Sequence, residues 1–249
     1  MPRLRRTAAK NLEIAGIADQ GVIEGMFRSI ARMLAAFARF PRITRDTVHH
    51  LIRYEGLDNF KNALARGRGV LVATAHLGNW ELSAFAHALM TAPMYVVVRP
   101  LDNLRVDAMV EHRRALSGNH IISKREAARE ILRALKGGDA VGILIDQNTA
   151  IEEGVFVDFF GTEACAGSGF AKLAHHSGAA VVPGYALWSE SEGKYVLRFD
   201  PEIAMSGDVV VDTQRIHTHL ETVIRRHPDQ YLWIHRRWKT RPAGEAPLY

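Results

Sequence analysis

Val70-Leu71-Val72-Ala73-Thr74-Ala75 is a short apolar run that ends on a polar corner, His76-Leu77-Gly78-Asn79, and reopens as a helix through Trp80, Glu81 and Leu82. The pattern recurs along the chain. Residues 94–98 run into Arg99-Pro100, residues 140–145 into Asp146-Gln147-Asn148, and residues 180–187 form a further buried-type strand. Helical periodicity separates these runs. Short apolar strands alternating with helices predict an α/β layered fold with a mostly parallel sheet. In such sheets ligands sit beyond the carboxyl ends of the strands. His76, Arg99 and Asp146 all fall at predicted strand ends, which predicts one shared site.

The remaining segments fill in around this frame. Residues 1–10 carry Arg3, Arg5, Arg6 and Lys10 and no acid, and read as a basic N-terminal segment. Residues 22–40 show a helical apolar stripe of Ile23, Met26, Phe27, Ile30, Met33, Leu34 and Phe37, with Arg28, Arg32 and Arg39 elsewhere. Such a helix either packs on the core or lies in a headgroup layer with its arginines on phosphates. Residues 47–65 read as a helical pair broken near Gly56, and residues 103–116, 125–136, 169–176 and 211–226 as helices. Residues 120–122 and 155–160 read as short strands, and residues 195–199 as an edge or hairpin strand. The tail 231–242 interleaves Trp233 and Trp238 with Arg236, Arg237, Lys239 and Arg241, either as a solvated basic tail or as an interface element. The expected division is a basic segment and membrane-facing helix over 1–45, then an α/β domain over 46–249, the two forming one structural unit.

Composition narrows the function classes. The single cysteine, Cys165, excludes an intramolecular disulfide and fits a reducing compartment. A formal net charge of +5 points to an anionic partner: phosphates, an acidic membrane surface or an acidic protein. No apolar stretch approaches the roughly 18 residues that span a bilayer. Neither a G-x-S-x-G elbow, a phosphate-binding P-loop nor a dinucleotide fingerprint is present. The pairs His175-His176 and His217/His219 lack partners at ligand spacing, so no metal is expected. The basic, aromatic tail also raises a nucleic-acid binder, but no nucleic-acid motif accompanies it.

What is left is a histidine, a nearby carboxylate, an arginine and an aspartate. His76 and Glu81 are five apart, so they meet only if His76 lies in the loop before the helix and the chain folds back at Gly78. Asn79 suits the N-cap, and Glu81 suits the positive end of the helix dipole. A histidine oriented by a carboxylate takes a proton from an attacking hydroxyl, which fits direct acyl transfer from a thioester to an alcohol. Arg99, or a backbone N–H near Asn79, would stabilise the developing oxyanion.

His76-Leu77-Gly78-Asn79-Trp80-Glu81 resembles the H-x-G-N-W-E motif of the bacterial lipid A biosynthesis acyltransferases, the lauroyl and myristoyl transferases of lipopolysaccharide assembly. Leu144-Ile145-Asp146-Gln147, Gly154-Val155-Phe156-Val157-Asp158-Phe159-Phe160-Gly161 and the tail from Tyr231 to Pro242 resemble further family blocks in family order. The resemblance implies a fold similar to the glycerophosphate acyltransferases, with His76 as base and Glu81 as its partner. It places Arg99 and Asp146 in the site, with Asn79 and Gln147 as further substrate contacts. It implies transfer to a lipid A precursor or related glycolipid, such as a phosphatidylinositol mannoside. The donor would be an acyl thioester, of acyl carrier protein or coenzyme A, and no cofactor is implied. It also implies anionic membrane lipids as partners, at the cytoplasmic face of the bacterial inner membrane. Family members typically carry an N-terminal membrane helix, so attachment of this chain is expected either through residues 22–40 and the basic residues or through an N-terminal anchor of which this sequence is a truncation. Ala164-Cys165-Ala166-Gly167 stands where the family usually has a threonine.

Overall fold

A computed structural model describes residues 2–123 and 127–249. Nine strands and eight α-helices are described: β1 Ile52–Glu55, β2 Val70–Thr74, β3 Tyr95–Val98, β4 His120–Ser123, β5 Ala140–Leu144, β6 Gly154–Phe159, β7 Thr162–Gly167, β8 Ala180–Ser189 and β9 Lys194–Phe199; α1 Pro2–Ile14, α2 Val22–Ala38, α3 Leu57–Leu64, α4 Trp80–Met90, α5 Leu104–Ala115, α6 Ala127–Lys136, α7 Gly169–Ser177 and α8 Val209–Arg226. Seven strands form one sheet in the order β1-β9-β8-β2-β5-β3-β4. Every pairing in it is parallel except the β8–β9 hairpin. This is the expected mostly parallel, helix-flanked sheet.

Three apolar clusters follow from the alternation of the strands. Val70, Val72, Ala140 and Val182 face α3 and α4, whereas Leu71, Ala73, Val141 and Val181 face α6 and α7. A third cluster lies beyond the strand ends, where Ala75, Leu77 and Leu187 meet the second half of α1, the start of α2, the β6–β7 hairpin, α8 and the tail. Residues 8–26 therefore share a core with residues from the far end of the chain.

Several expectations are corrected. The basic N-terminal segment is itself helical, and its Ala8 and Leu12 are buried. The predicted helical pair over 47–65 is a 3-10 turn, the strand β1 and then α3, because Ile52 to Glu55 finds a parallel partner in β9. Strand β9 is thus the hairpin strand of the two expected alternatives, internal to the sheet, and β1 is the edge. Cys165 lies on β7, a strand that no local signal marked, buried opposite Phe156. Of the predicted helix over 125–136, residues 125 and 126 lie outside the described residues. In α2, Met26 and Met33 are buried and Phe27 and Ile30 are half-buried against the core, so most of the stripe is packed.

The tail is only partly solvated: Arg236 and Lys239 are exposed, but both tryptophans and Arg237 are buried. Trp233, Arg237 and Trp238 are each at most 1% exposed. The indole N–H groups donate to the carbonyls of Pro228 and Thr162, and Arg237 donates to the carbonyl of Cys165 at 2.7 Å with its guanidinium over the Phe159 ring. Burial at that depth means Trp238→Ala should cost about 3–5 kcal/mol. Urea unfolding of the variant is expected to show that loss, and an unchanged midpoint would return the tail to the surface.

Candidate active site

The parallel pairing of β2 with β5 sets Thr74 opposite Leu144. Two residues past each strand the chain presents His76 and Asp146, at the same level and on neighbouring strands. Their side chains meet: His76 Nδ1 lies 2.9 Å from Asp146 Oδ1. A carboxylate only accepts, so Nδ1 carries the proton and Nε2 keeps the lone pair of a base. The edge of the imidazole faces Trp80, with ring centroids 5.0 Å apart.

The electrostatics of the pair are mutual. Burial alone would depress the His76 pKa, but the charge and hydrogen bond of Asp146, with a smaller contribution from Glu81, raise it above its ordinary value. Burial would likewise raise Asp146, and the imidazole charge and hydrogen bond hold its carboxyl below the usual range. Asp146 is 3% exposed, so its charge has little solvent to rely on.

Glu81 takes a different partner from the one its spacing suggested. Arg114, in the last turn of α5, donates to it twice, Nε to Oε2 at 2.9 Å and Nη2 to Oε1 at 2.6 Å. Both lie at the site but share no hydrogen bond with His76. The orienting carboxylate at Nδ1 is Asp146, because sheet register places it there, whereas Glu81 is turned one helical step away. Arg114 was not legible: nothing local distinguishes it from Arg113, and only the packing of α5 selects it.

The corner carrying His76 is built from afar. Gly78 has φ of +65°, and a Cβ there would come within 2.1 Å of the Ala186 carbonyl. The Gly78 N–H donates to Gln230, the Asn79 N–H to Ala186, and the Leu232 N–H to the His76 carbonyl. Asn79, expected at the substrate, is fully buried as the N-cap of α4, its Oδ1 accepting the Leu82 N–H at 2.9 Å. Its own backbone N–H is therefore unavailable to an oxyanion. The loop after Asp146 is pinned by the tail: the Asn148 N–H donates to His235 Nε2, and the Asn148 side chain bonds Thr240. His235 was not singled out by the sequence either.

His76, Glu81, Arg99, Arg114 and Gln147 all line one cavity of about 1200 Å³. Arg99 follows β3 directly, is exposed, and has no carboxylate partner among the described residues. Away from this mouth the lining includes the apolar Phe85, Met94, Val96, Ile131 and Leu173, beside polar residues such as Asn119, Lys172 and His176. Such a volume and lining suit a lipid chain with its reactive end at His76. Among the described residues no group of three or more His, Cys, Asp or Glu is placed to hold a metal ion. His217 and His219 instead bond the Thr213 carbonyl and Asp200.

The model of the bacterial lipid A biosynthesis acyltransferases matches residues 3–240. The chain belongs to that family. It is 33% identical to the lipid A biosynthesis palmitoleoyltransferase of Escherichia coli (strain K12), over all of this chain and 83% of that protein. It is 30% identical to the lipid A biosynthesis lauroyltransferase of the same organism, over 78% of this chain and 64% of that one. A phosphatidylinositol mannoside acyltransferase of Mycolicibacterium smegmatis is 27% identical over 87% of this chain and 72% of its own. The protein is an acyltransferase acting on lipid A or related glycolipids.

The two carboxylates are separable by pH. A base works only when neutral, so the acid limb of kcat/KM should lie above the ordinary histidine value of 6.5. Asp146→Asn removes the anion that favours imidazolium, so the limb should move to lower pH while the rate falls. Glu81→Gln should move it less, because Arg114 opposes its charge. A larger shift from Glu81→Gln would make Glu81 the orienting group.

Proposed function

We propose that this acyltransferase moves a fatty acyl chain from an acyl thioester, carried by acyl carrier protein, to a hydroxyl of a lipid A precursor. The observation that carries the reading is the His76–Asp146 pair at the mouth of a lipid-sized apolar cavity. Nε2 of His76 takes the proton of the acceptor hydroxyl as its oxygen attacks the thioester carbonyl. The C–O bond forms, the tetrahedral intermediate collapses with cleavage of the C–S bond, and the imidazolium returns the proton to the departing thiolate. Asp146 holds the ring and stabilises the imidazolium. Glu81 acts on the imidazole through space and fixes Arg114 beside it. No serine or cysteine bonds His76 among the described residues, and Cys165 is buried with its thiol pushed up by burial, which supports direct transfer without an acyl-enzyme.

Purified protein with acyl thioesters of acyl carrier protein or coenzyme A and a lipid A precursor, read by mass, tests this. His76→Ala should lose about 10²–10⁴-fold or more in turnover. A folded His76→Ala variant at wild-type rate overturns the mechanism. Product from coenzyme A thioesters but none from the carrier protein overturns the donor, and product only with a phosphatidylinositol mannoside overturns the acceptor. Arg99, with no ion pair among the described residues, grips an acceptor phosphate bidentately in this reading. Arg99→Lys should then raise the acceptor KM, whereas a loss confined to kcat would make Arg99 an oxyanion donor.

Attachment to the membrane falls to the rim of the cavity. Among the described residues no helix is long and apolar enough to cross a bilayer. Helix α5 has no buried residue, and Leu101, Leu104 and Met109 stand exposed next to Arg105, with Leu34 of α2 exposed as well. Arg113 joins the two helices by donating to the Phe37 carbonyl. This arrangement favours peripheral contact with anionic lipid, in place of the insertion of Phe27 and Ile30, which the core half-covers. Each basic residue near such a surface adds about 1 kcal/mol, weakened by salt. Flotation with phosphatidylglycerol vesicles should therefore fall as salt rises and fall further in Leu104→Glu with Arg105→Glu. Unaltered flotation in that variant would move the contact off α5.

A further inference from the structure

We propose that Gly142 and Met94 set the length of the acyl chain that this enzyme transfers. The inference rests on the acyl-transfer reading of His76 and adds to it the part of the cavity that gauges the donor.

Strand alternation puts Val72 and Thr74 on the same face of the sheet as His76. Gly142 pairs with Val72 and Leu144 with Thr74 on one side, and Val96 pairs with Gly142 on the other. All of these residues line the cavity, as do Phe85, Met94 and Phe199 below them. They form a trough under α4 that descends from the imidazole and ends on buried Met94, Phe85 and Phe199. The level of Gly142 lies four residues down the strand, about 13 Å below His76, the reach of a saturated chain of roughly ten carbons.

Gly142 is the conspicuous residue in this trough. A glycine in a central strand weakens it and signals close approach of something else. The one protein group that makes that approach is the flexible end of a side chain. A Cβ at Gly142 would meet only the methyl end of Met94 at 3.0 Å and one backbone oxygen at 3.9 Å. Gly184 on β8 is the contrast: a Cβ there would press on the Phe199 ring and on Val72 at 2.9–3.1 Å. Packing by the protein explains Gly184. At Gly142 the only tight neighbour is the movable methyl end of Met94, φ is not in the left-handed region, and a side chain would displace that methyl and project into the trough. The cavity has a second arm on the opposite face of the sheet, past Ile131, Ile143 and Leu173, but a chain whose carbonyl meets His76 enters the α4 arm without crossing the sheet edge.

The experiment compares donor thioesters of graded chain length with one fixed lipid A precursor, using the full chain and its variants. Gly142→Val should shift the preference to shorter chains, each methylene that no longer fits costing about 10–200-fold in kcat/KM. Met94→Ala should admit longer ones. Should Gly142→Val fail to fold, Gly142→Ala carries the test, since its one tight contact is the mobile end of Met94. A uniform loss at every length, or a shift in acceptor chain preference with the donor profile unmoved, overturns the proposal. A His76→Ala variant that still transfers with the wild-type length profile would sink the base reading and leave the trough standing. An inactive His76→Ala beside unmoved profiles in both trough variants sinks the trough alone.

Discussion

The in-register parallel pairing of β2 with β5 is the constraint on which the site depends. With Thr74 opposite Leu144, the next outward-facing residues are His76 and Asp146, and the two side chains bond. A slip of one residue would turn Asp146 to the other face and separate them. The pair in turn disfavours other registers. A carboxylate as buried as Asp146 is expensive without a partner, and the imidazole is the partner it has. The sheet thus orients the imidazole of His76, and the buried charge helps to fix the sheet.

The same corner depends on residues some 150 positions further along the chain. Backbone bonds from Leu232 and to Gln230 hold the turn at His76 and Gly78, while His235 and Thr240 hold the loop that follows Asp146. Trp233 and Trp238 anchor that clasp by burial, in the cluster that also receives Leu12 and Met26 from the first two helices. The first two helices and the tail are therefore both built into the support of the His76 corner. A change in the tail reaches His76 through backbone geometry, without touching the cavity.

Much of this was legible because it is local. Apolar runs with polar residues at their ends gave the strands and placed His76, Arg99 and Asp146 at one edge of the sheet. Strand β1 is hidden because the alternation Ile52-Arg53-Tyr54-Glu55 is only four residues long inside a helical-looking stretch, and its pairing with β9 decides its conformation. The buried part of the tail is not legible beside its exposed part, because an Arg–Trp sequence looks the same whether lipid, solvent or Phe159 covers it. The partner of His76 was misassigned for a related reason. Sequence proximity favours Glu81, five residues away, whereas Asp146, seventy residues away, is brought in by strand order. Strand order is a property of the whole sheet, and no window of residues contains it.

Glu81 has a physical reason to sit where it does without bonding His76. In the first turn of α4 its charge meets the positive end of that helix, and Arg114 in the last turn of α5 meets the negative end of the other. The bidentate bond between them joins the two helix ends. That bond has weight because α5 buries no side chain fully and is tied to the body through Arg114, Arg113 on Phe37, and β4. The carboxylate thus places a cation beside the imidazole and anchors the helix that rims the cavity. A substitution at Glu81 consequently alters the field at His76 and the position of the rim together. Only an assay that separates proton transfer from acceptor capture can divide the two.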